Sequence, residues 1–143
     1  MNRFATALVT TAVAGAVLAG CGGDSPYCAS VKENQKALDS FGQKRTTAGF
    51  TSYDKAVRAI RKTAPDEIKA DWAALDKALR GVLKAHDEVG IALEDMKDTT
   101  KLQALSSDDL ATLNDSYEKF EKTGSQRSAI VADLKSSCSV TLK

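Results

Sequence analysis

The chain has 143 residues with 20 Lys and Arg against 19 Asp and Glu, one domain's worth of sequence at a formal charge of +1. Its 43% hydrophobic and 27% charged residues exclude a wholly disordered chain and a polytopic membrane protein. The near-neutral balance lacks the basic excess of a dedicated nucleic-acid binder, so no nucleic-acid partner is expected.

Residues 1–20 carry one charge, Arg3, ahead of an apolar run at residues 4–17 (FATALVTTAVAGAV). A short positive start, an apolar core and small residues beyond it form the layout of a secretory signal. The run is too short, and too rich in Ala, Gly and Thr, for a spanning helix of about 20 apolar residues. It ends in Leu18-Ala19-Gly20-Cys21. This motif resembles the lipobox of bacterial lipoproteins, whose Cys receives a diacylglyceryl group and becomes the new N-terminus after cleavage. The competing reading is an ordinary secretory signal ending near a Cys.

The resemblance implies a lipidation site at Cys21 and a membrane partner reached through lipid. Each buried CH₂ contributes about 0.8 kcal/mol, and two acyl chains hold a protein stably where one holds it marginally. The expected division is a signal peptide at 1–20, a lipid-anchored leash at 21–25 and a helical domain at 26–143. Gly22-Gly23-Asp24-Ser25 is short and flexible, keeping the domain close to the outer face of the cell membrane. Loss of residues 1–20 removes Arg3 and leaves 19 basic against 19 acidic side chains.

With Cys21 taken by lipid, Cys28 and Cys138 remain. An even pair in an exported chain reads as a disulfide, against the alternative of two free buried thiols. No CxxC motif supports redox chemistry or a zinc site.

Four segments carry apolar residues at alternating steps of three and four, which predicts helices. The first opens at Ser25-Pro26, with Ser as cap and Pro at the first helical position, and carries Cys28, Val31, Gln35 and Leu38 to an end near Gly42. The second begins at Thr51 or Ser52 and places Tyr53, Val57, Ile60 and Ala64 on one face. The third starts at Ala64-Pro65-Asp66-Glu67, its carboxylates suited to the helix dipole. Its stripe runs Ile68, Trp72, Leu75, Leu79, Val82, His86, Val89, Leu93, Met96, with Gly81 and Gly90 as sites of bending. The fourth begins at Ser106 or Ser107 and reads Leu110, Leu113, Tyr117, Phe120, Gly124, Arg127, Val131, Leu134, Cys138. Gly124 and Arg127 interrupt that stripe, which predicts a kink or opening there.

Both remaining cysteines lie on apolar stripes, one at the start of the first helix and one at the end of the last. A disulfide needs Cα atoms within about 7 Å, and only an even number of antiparallel rods returns the chain to the same pole. The expected fold is therefore all-α: an antiparallel four-helix bundle closed by one disulfide between the first and last helices.

Chemistry-bearing motifs are scarce. No GxSxG, HExxH, P-loop, GxGxxG or EF-hand pattern follows the signal, so no enzymatic activity, metal or resident cofactor is expected. His86 is the only imidazole and lies on an apolar stripe, where a hydrogen-bonded core residue is the ordinary reading. The carboxylates Asp87, Glu88, Glu94, Asp95 and Asp98 read as a solvated acidic face. A basic face at Lys55, Arg58 and Lys62 could meet an anionic bilayer or wall polymer, where each cation contributes about 1 kcal/mol. Its alternative is solvated surface.

The mature chain also resembles small, Cys-paired helical lipoproteins and secreted proteins of actinobacteria. Tyr27-Cys28 at the first helix, Ala64-Pro65-Asp66-Glu67-Ile68 at the third and the near-terminal Cys138 carry that likeness, which implies a helical exported domain and no catalytic residue. The expected function is a non-enzymatic binding or interaction module for an envelope polymer or protein partner. The alternative is a carrier of an apolar ligand or haem held between helices near Trp72 and His86.

Overall fold

A computed structural model describes residues 24–143 except Gly42 and Lys44. The signal segment and Cys21 lie outside the described residues. Every described regular element is helical: α1 Pro26–Asp39, α2 Thr47–Thr63, α3 Asp66–Val89, a 3-10 turn at Leu93–Lys97, α4 Thr99–Gln103, α5 Ser107–Glu121 and α6 Gly124–Cys138. No described helix is long and apolar enough to cross a membrane.

Local chemistry sets most of the boundaries. Ser25 accepts the Cys28 amide at 3.1 Å, and Pro26 opens α1 with a preset φ and no amide to satisfy. The second helix starts earlier than the stripe predicts, because Thr46 accepts the Gly49 amide at 3.1 Å and fixes the N-terminus four residues upstream of Thr51. The third continues without interruption through Gly81 and stops at Gly90, whose φ of 74° is left-handed and favours glycine. The sequence stripe beyond it belongs to the separate 3-10 turn, which buries Leu93. Ser106 and Asp109 form a reciprocal capping box at the start of α5.

The long fourth helix expected from periodicity is two helices, broken at Thr123. The break resets the helical phase, so α6 buries Ile130 while Val131, on the predicted stripe, is 47% exposed. Leu110 is likewise 43% exposed, leaving Leu113 as the buried leucine of α5.

Helix α3 packs against α2, α5 and α6, while α1 packs against α2 and α6. The main core joins Val31, Val57, Ile60, Trp72, Leu75, Leu79, Ile130 and Leu134, all essentially inaccessible to water. A smaller cluster of Ala85, Ile91 and Leu113 lies at the other end of α3. The Cys28–Cys138 disulfide spans 110 residues and links α1 to the end of α6, with Cα atoms 5.1 Å apart. Beside it, Tyr27 donates to Asp133 at 2.6 Å and accepts the Trp72 indole N–H at 3.2 Å, so three elements share one buried polar chain. Burial and the Asp133 carboxylate together push the Tyr27 phenol well above its ordinary pKa.

Two buried carboxylates also tie the structure together. Asp76 is fully enclosed and meets Arg61 of α2 at 2.7 Å and Arg80 of α3 at 3.2 Å. Asp54, 2% exposed, pairs with Arg58 at 2.7 Å. A carboxylate can be buried only with such partners, because an unpaired ion forfeits its hydration.

A cleft where the helices break

The break at Thr123, the α1–α2 connection and the 3-10 turn meet on one side of the molecule and leave a cleft of about 610 Å³. Its wall is aromatic. Phe41, Phe50 and Phe120 form a triangle with ring centroids 5.7 to 6.0 Å apart, all tilted against one another. Behind them Tyr53 stacks on Phe41 at 4.0 Å. Leu93 and Met96 from the 3-10 turn complete the apolar lining.

The polar groups are few. Ser40, Arg45, Arg127, Glu121 and Tyr117 reach the cleft. The Arg127 guanidinium lies over the Phe120 ring, 4.9 Å from its centroid, a cation–π contact. Its Nε is buried without a hydrogen-bond partner among the described residues. A buried donor left unpaired costs about 1–3 kcal/mol. Arg127's charge lowers the Tyr53 phenol, but burial dominates and pushes it up to about 12.

His86 stands behind this wall. Its Nδ1 is 2.7 Å from the Ile91 carbonyl and its Nε2 is 2.7 Å from the Tyr117 hydroxyl. A carbonyl only accepts, so Nδ1 donates its proton to Ile91, while Nε2 shares a hydrogen bond with the Tyr117 hydroxyl. Both nitrogens are thereby used, and haem ligation through His86 would require breaking one of these bonds. Burial raises the Tyr117 phenol, with Arg45 pulling the other way. Trp72 is deep in the main core, 14 positions along α3 from His86 and so about 21 Å away at the helical rise. The structure thus brings His86 to the back of the cleft and leaves Trp72 outside it.

The loop between α3 and α4 is held over α2 by a carboxylate. Glu94 accepts the Thr47 amide at 2.8 Å and the Thr47 hydroxyl at 2.9 Å, while Thr47 Oγ1 accepts the Leu93 amide at 3.1 Å. These bonds to the α2 N-terminus hold Glu94 below the ordinary carboxylate range. Asp95 pairs with Lys101 at 2.7 Å. Glu88 pairs with Lys84 at 3.1 Å and Asp98 caps α4, so four members of the expected acidic face have specific partners. Of the basic face, Arg58 is committed to Asp54, while Lys55 and Lys62 are exposed and form no ion pair among the described residues.

Sequence reasoning gave no cleft role to Phe41, at the end of the predicted first helix, or to Phe50, just before the predicted second; Arg45, between them, counted only as one of the basic residues around Lys55, Arg58 and Lys62. Arg127 and Gly124 were visible as gaps in an apolar stripe, and that interruption is where the cleft opens. Among the described residues, no group of three or more His, Cys, Asp or Glu converges as a metal ion would need. No protein-family model, no curated protein and no solved structure matches this chain.

Proposed function

We propose that this chain is a non-enzymatic binding module of the cell envelope, held at the outer face of the cell membrane by diacylation of Cys21. Its fold is read as an antiparallel four-helix bundle in which α5 and α6 together supply the fourth rod. The observation that carries the binding role is the aromatic-walled cleft of about 610 Å³, within the range of small-molecule sites and lined mainly by apolar groups with a few polar ones. Binding is favoured over catalysis because His86, the sole imidazole of the sequence, has both ring nitrogens engaged. A lipid-tethered module with such a cleft is suited to capturing an apolar compound at the envelope rather than transforming it.

A ligand that binds only the native state raises stability by RT ln(1 + [L]/Kd), about 2.7 kcal/mol at a hundredfold excess over Kd. A thermal-shift screen of apolar compounds against residues 25–143, which contain the disulfide and the whole described core, is expected to yield stabilisers. Their effect should be lost in Phe120→Ala. Stabilisers that act equally on Phe120→Ala and Phe50→Ala, or none at all, would remove the cleft as the binding site. The anchor is checked separately: Cys21→Ser should abolish incorporation of labelled fatty acid, and continued lipidation would contradict it.

A further inference from the structure

We infer that the cleft selects an apolar carboxylate, with the anionic group held by Arg127 and the apolar body laid against the Phe41–Phe50–Phe120 wall. This inference rests on the binding role proposed above and adds the chemical class of the ligand.

Three observations converge on it. Arg127 is the only cleft residue that combines a full positive charge with a buried donor lacking an acceptor among the described residues. The guanidinium is already oriented by its stacking on Phe120, so little side-chain freedom is lost on binding. A guanidinium edge offers two parallel N–H donors, which match the two oxygens of a carboxylate.

Charge sets the number of negative charges the ligand should carry. Among the described residues, Arg45 and Arg127 line the cleft against the single carboxylate of Glu121, a surplus of one positive charge. A monoanion neutralises that surplus, whereas a phosphate dianion overshoots it. Apart from Ser40 and Tyr117, the other described side chains of the lining are apolar: the three Phe rings with Leu93 and Met96. An acid without an apolar body would leave this surface wet and gain only an exposed ion contact, worth little in water. An apolar body without the acid would leave the Arg127 donor unpaired.

The test compares dodecanoate, 1-dodecanol and acetate by isothermal titration against residues 25–143, with the ligands below their aggregation limits. Dodecanoate should bind saturably at one site, at least tenfold tighter than 1-dodecanol, a difference of about 1.4 kcal/mol. Acetate should show no binding. Arg127→Met keeps the aliphatic stem over Phe120 and should bring dodecanoate down to the affinity of dodecanol, while Arg127→Lys should retain part of the preference. Lys55→Ala, exposed and remote from the cleft lining, should leave both affinities unchanged.

Equal affinity for dodecanoate and dodecanol would overturn the carboxylate assignment while keeping the cleft as an apolar site. Binding of dodecanoate that Arg127→Met leaves intact would do the same. Absence of binding by both twelve-carbon probes would overturn this inference, leaving the separate compound screen to decide the binding role. Circular dichroism on each variant establishes that the helices are retained, so a loss of affinity is read on folded protein.

Discussion

Removing the Cys28–Cys138 bridge should destabilise the domain by about 4–5 kcal/mol without altering the native fold. The bridge closes a loop of 110 residues, nearly the whole described chain. In the chain-entropy model a closure of that length restrains the unfolded ensemble by about 4.8 kcal/mol at 25 °C. Nothing in the native state depends on the bridge alone. Tyr27 also reaches Asp133 at 2.6 Å and Trp72 reaches Tyr27 at 3.2 Å, contacts independent of the bridge that should keep α1 docked beside α3 and α6. The cost therefore falls on the unfolded side. Folded domains of this size are stable by about 5–15 kcal/mol, so the loss is a large share of the total. With an unfolding entropy of about 2.1 cal/mol/K per residue, it corresponds to a fall in Tm of roughly 15–20 °C. Urea titration followed by far-UV circular dichroism, on Cys28→Ala/Cys138→Ala and on reduced wild type, measures it directly. The m value should rise as well, because the uncrosslinked chain exposes more surface on unfolding. A loss under about 1 kcal/mol with an unchanged m value would refute the entropic account of this bridge.

Other outcomes follow from single contacts. Tyr27→Phe removes the hydroxyl between Trp72 and Asp133, leaves the buried indole N–H without its acceptor, and should cost about 1–3 kcal/mol in urea unfolding. Gly81 lies inside α3 with open space where an alanine methyl would stand, and Gly90 has φ of 74°; Gly81→Ala should stabilise by about 0.5–1 kcal/mol, and Gly90→Ala should destabilise by about 1–2 kcal/mol, both read from thermal melts. Glu94 is held below its ordinary pKa in the folded state, so its contribution is present above the unfolded value near 4.5 and is lost as pH falls through the depressed folded value. Glu94→Gln should therefore melt below wild type at pH 7, and the gap should close in acid. Tyr53 is shifted the other way, to about 12, so its contribution is complete below pH 10 and fades as pH rises toward 12; Tyr53→Phe should lose less stability than wild type over that alkaline window.

Much of the helical content was legible because burial is periodic. Tyr53, Val57, Ile60 and Ala64 are all buried as their spacing implies, as are Ile68 through His86 at the stripe positions of α3. The disulfide was legible from cysteine number and its place on two stripes. Boundaries set by distant groups were not. The start of α2 depends on Thr46 and on Glu94, 47 residues away from Thr47, and no local pattern announces a carboxylate arriving from another loop. The end of α3 was obscured because the 3-10 turn buries Leu93 at a spacing that continues the helical stripe.

The cleft was hidden for a related reason. Phe41 lies in the non-helical α1–α2 connection, where periodicity has nothing to say, and Phe50 in the first turn of α2, upstream of the predicted helix start; they meet Phe120 from another part of the chain only in three dimensions. Buried Asp54 and Asp76 escaped notice because a carboxylate beside an arginine reads as surface charge. Their full enclosure follows from the packing of α2 on α3 and from ion pairs with Arg58, Arg61 and Arg80.

Occupancy of this cleft by an apolar compound can be read residue by residue. The measurement is a titration of 15N-labelled residues 25–143 with dodecanoate, followed by backbone amide shifts. Saturable shifts are expected to concentrate at Phe41, Gly49, Phe50, Tyr117, Phe120 and Arg127, with the disulfide end around Cys28 and Ser137 unmoved. Shifts centred instead on the exposed Leu110 and Val131, or spread over the surface without saturation, would contradict that occupancy.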